Sequence, residues 1–155
     1  MKHLLFYTLF LMGSSSFAQT EQENIKTTIN QLFEGMKTGD SSLVAAVFHP
    51  EVTLQTVTIN KQGETTLHKE QLASFLNAVG SPHEGVWNEK ITFTRIQIDD
   101  QMAHVWTDYQ FYLDETFIHC GVNSFQLVKL NKQWQIVHLM DTRRKKECNE
   151  KAFNR

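Results

Sequence analysis

The chain has 155 residues, a formal net charge of −2 and 41% hydrophobic residues, enough for one ordinary domain and too few for two. The balanced charge lacks the basic bias of a nucleic-acid binder. The run Arg143-Arg144-Lys145-Lys146 reads as a solvated C-terminal end rather than a phosphate-binding patch.

Met1-Lys2-His3 is a short positive start, Leu4 to Met12 is an unbroken apolar run, and Gly13 to Ala18 (GSSSFA) is a stretch of small residues around one phenylalanine. This pattern predicts a signal peptide over residues 1–18, cut after Ala18, that delivers the protein to the periplasm or the exterior. The nine apolar residues fall short of the ~20 that span a bilayer. No cysteine follows the cleavage site to carry a lipid, so no membrane contact is expected after cleavage. Residues 19–155 are the expected domain, with a short basic tail.

Ile25, Ile29, Leu32, Phe33 and Met36 recur at helical spacing and predict an amphipathic helix over 21–37, begun by a Thr20/Glu23 capping box and stopped at Gly39. Asp40 caps a second short helix that carries Leu43, Val44, Val47 and Phe48, with Pro50 as its stop. Residues 52–59 (VTLQTVTI) are β-branched and predict a strand, turned at 60–63 into a partner at 65–67. A third helix follows at 69–79, from Leu72, Phe75, Leu76 and Val79. Four strands come next, near 88–98, 102–113, 117–130 and 134–142. Their connections are short and polar, which makes them an antiparallel meander. The fold class is therefore α+β. Three helices from the N-terminal half lie on the concave side of a strongly curved, mixed or antiparallel sheet, leaving a cone with a cavity.

This order of elements resembles the nuclear transport factor 2-like superfamily, which includes ketosteroid isomerase, scytalone dehydratase and polyketide-cyclase-like proteins. The run YQFYLDETFIHCGVNSFQLVKLNKQWQIVHLMDTRRKKEC (109–148) is similar to small exported bacterial members labelled putative lumazine-binding. The resemblance implies a cone fold and a possible homodimer paired through the outer sheet face. It transfers no activity, because the fold serves isomerases, dehydratases, cyclases, carriers and assembly modules alike.

Strand alternation sorts the chemistry-bearing residues by face. Two-residue turns at Asp114-Glu115 and Asn131-Lys132 would set Trp106 opposite Asn123, His104 opposite Phe125 and Phe125 opposite His138. One face then holds His104, Trp106, Asn123, Phe125 and His138 as a ligand-binding set, with Asp108 and Tyr112 beside them. The opposite face would offer Thr107, Tyr109, Ser124, Gln126 and Asp141, and a single bulge exchanges the two. His138, Asp108 and Tyr112 are the acid–base candidates should the domain be an enzyme. His119, beside Cys120 and Gly121, reads as structural. Asp141 and Arg143 read as an ion pair closing the mouth, or Arg143 as a contact for an anionic ligand.

The histidines are widely spaced, without a paired His-x-His or HExxH arrangement, so no metal site is expected. The sequence also has no Gly-rich phosphate loop and no nucleophile elbow, and no cofactor is expected. Cys120 and Cys148 either form a disulfide or remain two thiols, one of them buried. The leading expectation is a non-enzymatic domain that binds a small, partly aromatic molecule. An isomerase, dehydratase or cyclase working by proton transfer comes second, and a homodimeric assembly module third.

Overall fold

The computed structural model describes residues 13–153, so the apolar run Leu4–Met12 of the expected signal peptide lies outside the described residues. The first helix, α1, spans Gly13–Thr38. It begins earlier than the expected position 21 because no glycine or proline separates Ser14 from Thr20, and the helix runs through the expected cap. Its buried stripe is the expected one: Ile25, Ile29, Leu32, Phe33 and Met36. Gly39 ends the helix in the left-handed region, with φ 69°, and Asp40 N–H donates to the carbonyl of Gly35 at 2.9 Å. Asp40 then caps α2, Ser41–Val47, by accepting from the backbone N–H groups of Ser42 and Leu43.

The chain becomes extended at Phe48, and β1 spans Phe48–Ile59. This is earlier than the expected position 52, because Phe48 pairs with Ile136 of the last strand. Pro50, expected to stop a helix, lies inside the strand where pairing lapses between Phe48 and Thr53, so its missing N–H breaks no ladder. β2 (Thr65–Glu70) and α3 (Leu72–Gly80) follow, and then β3 (Trp87–Asp99), β4 (Met102–Leu113), β5 (Thr116–Leu130) and β6 (Gln133–Thr142). Tight turns join the last four strands. Asp100, Asp114, Asn131 and Lys132 all adopt positive φ, as short hairpins require of their turn residues.

The six strands form one open sheet in the order β2-β1-β6-β5-β4-β3. All neighbours are antiparallel except β1 and β6, which are parallel, so the sheet is mixed. α1 packs on the concave face through Phe33, whose ring meets Phe125 edge-on at 6.3 Å. Around them Val105, Leu127 and Ile136 are fully buried. Glu21, in the N-terminal half of α1, fastens that helix to the β5–β6 hairpin, accepting from Lys129 Nζ at 2.7 Å and Trp134 Nε1 at 2.9 Å.

The C-terminal tail crosses the convex face. Arg144 and Cys120 exchange backbone hydrogen bonds, and Cys120 and Cys148 are joined as a disulfide. Beyond it, Asn149 Nδ2 donates to Asp108 at 3.1 Å, and Thr92 Oγ1 donates to the carbonyl of Ala152 at 3.0 Å.

Candidate functional site

Register decides which residues meet. The turn ends pair as expected, Leu113 with Thr116 and Leu130 with Gln133. Each ladder then gains one residue. Tyr112 pairs with Phe117 but Phe111 pairs with His119, leaving Ile118 as an extra residue. Leu127 pairs with Ile136 but Gln126 pairs with His138, leaving Val137 as another. These two bulges correct the expected pairings. Trp106 faces Ser124 rather than Asn123, His104 faces Gln126 rather than Phe125, and Phe125 faces Leu139 rather than His138. Beyond β6, Cys120 pairs with Arg144 in an isolated bridge.

The expected ligand-binding set is therefore split between two faces. His104 and Trp106 lie on the convex face, where His104 Nε2 is 3.1 Å from Ser124 Oγ and Trp106 is 42% exposed. His138 lies on that face too, with Nε2 2.9 Å from Gln55 Oε1. Asp108 is buried there beneath Asn149 of the tail. Tyr112 donates to Gln110 and carries Lys90 Nζ over its ring at 4.6 Å. Phe125 is core. Asn123 alone of the set lines the cavity.

That cavity, of about 80 Å³, lies between α1 and the concave face. One wall is apolar: Leu32, Phe33 and Met36 from α1, with Leu54, Phe75 and Leu139. The other is polar, with Glu89 from β3, Tyr109 from β4, His119 and Asn123 from β5, Asp141 from β6 and Arg143 just beyond its end. Gln55, Thr56 and Glu70 complete it.

The polar wall holds two linked clusters. In the first, Asp141 accepts from Arg143 Nε at 2.9 Å and from the Thr56 hydroxyl, and Arg143 Nη2 reaches Thr56 at 3.3 Å. Tyr109 Oη donates to the carbonyl of Thr142 at 2.8 Å, and lies 3.3 Å from Asp141 Oδ2 and 3.1 Å from His119 Nδ1. Gly121 makes this possible. A Cβ there would collide with the Thr142 carbonyl and the Tyr109 ring, so only glycine lets β5, β6 and the tyrosine approach so closely. In the second cluster, Asn123 Nδ2 donates to Glu89 Oε1 at 2.8 Å.

Burial shapes the charges. Removal from water, reinforced by the negative charge of Asp141, pushes the Glu89 carboxyl up to about 7, against the opposing hydrogen bond from Asn123. Burial, with Arg143 close by, pulls His119 down to about 4 and keeps its ring neutral near pH 7. Burial and the neighbouring acids raise the Tyr109 hydroxyl, which stays a donor. The site thus offers one carboxyl that titrates near neutrality, beside fixed donors and an apolar wall.

The opposite-face candidates Tyr109 and Asp141 line this cavity, whereas Ser124 and Gln126 sit across the ladder from Trp106 and His104. His119, expected to be structural, stacks on Phe111 at 5.0 Å and also lines the cavity. Sequence reasoning missed Glu89. The signal was present: Glu89 is in phase with Ile91 and Phe93, a carboxylate on the apolar face of its own strand.

Residues 20–140 match a family model described as "Putative lumazine-binding". No curated protein matches the chain in sequence. Among solved structures, it is similar to a nuclear transport factor 2-like protein of unknown function from Shewanella baltica OS155 (17% identity, 82% of this chain and 96% of that one, TM-score 0.63). It is also similar to a function-unknown protein from Mycobacterium tuberculosis (12% identity, 89% and 80% covered, TM-score 0.72). A third likeness is to a "Putative Scytalone Dehydratase" from Novosphingobium aromaticivorans DSM 12444 (12% identity, 84% and 89% covered, TM-score 0.66). At these identities the structures speak for the fold alone. The chain belongs to the family described as "Putative lumazine-binding" and has the cone fold of the nuclear transport factor 2-like superfamily.

Proposed function

We propose that this protein is an exported, non-enzymatic domain that binds a small molecule in the cavity between α1 and the concave sheet face. The observation that carries the reading is the composition of that cavity, an apolar helix wall facing converging polar side chains. The family description points the same way, toward a small ligand. Export is supported by the leader pattern of residues 1–18 and by the Cys120–Cys148 disulfide, which suits an oxidising compartment.

Size limits the occupant. A pocket that encloses a drug-sized ligand holds roughly 300–1,000 Å³, whereas this cavity has about 80 Å³. It accommodates a head group, and the remainder of a larger ligand would leave through the mouth near Arg143. Native mass spectrometry of protein purified from an oxidising compartment tests the reading. A small mass that departs on denaturation is the expected result. Protein that is empty, and whose cavity resonances no member of a fragment library moves, overturns it.

One observation favours a second reading, proton-transfer catalysis of the isomerase or dehydratase kind. The Glu89 carboxyl sits inside the cavity and titrates near neutrality, as a general base or acid requires. Glu89 would then replace His138, Asp108 and Tyr112 in that role, because those three lie outside the cavity lining. A turnover rate that rises as pH passes through about 7, and is abolished in Glu89→Gln, would establish a general base.

A further inference from the structure

The two clusters of the polar wall differ in how fully they are satisfied. Asp141 is held from both sides by Arg143 and Thr56, and Tyr109 is tied to the Thr142 carbonyl. Glu89 and Asn123 share a single hydrogen bond, from Asn123 Nδ2 to Glu89 Oε1. No donor among the described residues reaches the second carboxyl oxygen of Glu89 or the side-chain carbonyl of Asn123. Among the described residues, the one side-chain polar atom sealed away without a partner is Thr107 Oγ1, on the residue directly across the ladder from Asn123. The free oxygens of Glu89 and Asn123 are therefore not sealed in protein, and both residues line the cavity.

We propose that this pair recognises an uncharged head group with adjacent hydrogen-bond acceptor and donor atoms, a lactam-type –CO–NH– edge. The Glu89 carboxyl donates to the ligand carbonyl, and the Asn123 carbonyl accepts from the ligand N–H. The inference rests on the reading of the cavity as a binding site and names the chemistry that it selects.

The charges around the pair argue for neutrality. β6 presents Asp141, already paired with Arg143 just beyond the strand's end; β4 presents Tyr109, β5 His119 and β2 Glu70. α1 and α3 present only apolar groups there, namely Leu32, Phe33, Met36 and Phe75. A carboxylate ligand would meet Glu89 and Asp141 with no unengaged cation to balance it. A cationic ligand would have to lose its water against the apolar helix wall. A neutral lactam edge carries neither cost and leaves no hydrogen-bonding group unmet.

Protonated Glu89 is the competent form, so affinity falls with its population. With the carboxyl at about 7, binding weakens about tenfold by pH 8 relative to pH 6. The test titrates four probes, followed through the backbone amide resonances of Leu32, Asn123 and Leu139: 2-pyridone, N-methyl-2-pyridone, benzoate and benzamidine. The expected result is that 2-pyridone binds at pH 6 and loses about tenfold by pH 8. Its N-methyl analogue, with the donor blocked, is weaker by about tenfold at pH 6. Glu89→Gln, which keeps a donor at every pH, flattens the profile, and Asn123→Ala weakens 2-pyridone at both values. Benzoate or benzamidine binding as tightly as 2-pyridone overturns the lactam proposal while leaving the cavity a binding site, as does a flat wild-type profile. If no probe moves any cavity resonance, the binding reading fails and this one fails with it.

Discussion

The two faces of the sheet carry similar residue types and use them differently. The convex face holds His104, Trp106 and His138, each with at most one side-chain hydrogen bond, and its best-covered polar residue, Asp108, is covered by the chain's own tail. The concave face holds Glu89, Tyr109, His119, Asn123, Asp141 and Arg143 in two hydrogen-bonded clusters around a void. Dielectric surroundings make the difference. On the outer face a histidine can be satisfied by water, while on the inner face burial shifts Glu89 up and His119 down, so that neighbours set their protonation. Residue type alone does not mark a site. Enclosure does.

Substitutions on the two faces should separate in size. Gly121→Ala should have the largest effect. The added methyl meets the Thr142 carbonyl and the Tyr109 ring and forces β5 from β6, costing about 4 kcal/mol or more in chemical denaturation. A loss below about 1 kcal/mol would mean that the close approach is dispensable.

Cys148→Ser frees the tail from the convex face. Opening a loop closed across a separation of 28 residues should cost about 3.5 kcal/mol by the chain-entropy model, read as a lower unfolding midpoint against the oxidised wild type. The tail's amides beyond Cys148 should then exchange faster. Unchanged exchange would show that Asn149 and Ala152 hold the tail unaided.

Glu89→Gln should stabilise the protein at alkaline pH. The raised carboxyl contributes stability that is fully present below the unperturbed value of 4.5 and is lost as pH rises through about 7. At pH 8 the glutamine variant should be the more stable by about 2–3 kcal/mol, and near pH 4.5 the two should coincide. A difference independent of pH would place Glu89 in a wetter site. His119 acts in the other direction: its neutral ring favours folding above its unperturbed 6.5, an advantage lost as pH falls through about 4.

Trp106→Ala should have the smallest effect. The side chain is 42% exposed on the convex face, so the loss should be about 2 kcal/mol or less, with cavity resonances unmoved. A movement at Asn123 or Tyr109 would show that the two faces communicate through the sheet.

The elements and their order follow from local signals in the chain. The stripe of α1, the Asp40 cap and the turns at Asp114 and Asn131 are local signals, set by neighbours a few residues apart, and each is found where its chemistry calls for it. Local signals failed where a distant partner decided. Phe48 left its helix to pair with Ile136, 88 positions away, and Pro50 was absorbed into a strand because that strand is unpaired there. Alternation also sorted residues within a strand by face, Tyr109 with Thr107, while the same signal in β3, where Glu89 is in phase with Ile91 and Phe93, went unread. What alternation could not supply was the phase between strands. The extra residues Ile118 and Val137 each shift a ladder by one, and side chains in a strand repeat every two residues. Those shifts carried His104, Trp106 and His138 away from Asn123 and brought Tyr109, Asp141 and Arg143 to it. Bulges arise where a curved sheet must bend around its core, a demand of the whole fold on no particular residue. Only the tertiary structure fixes it.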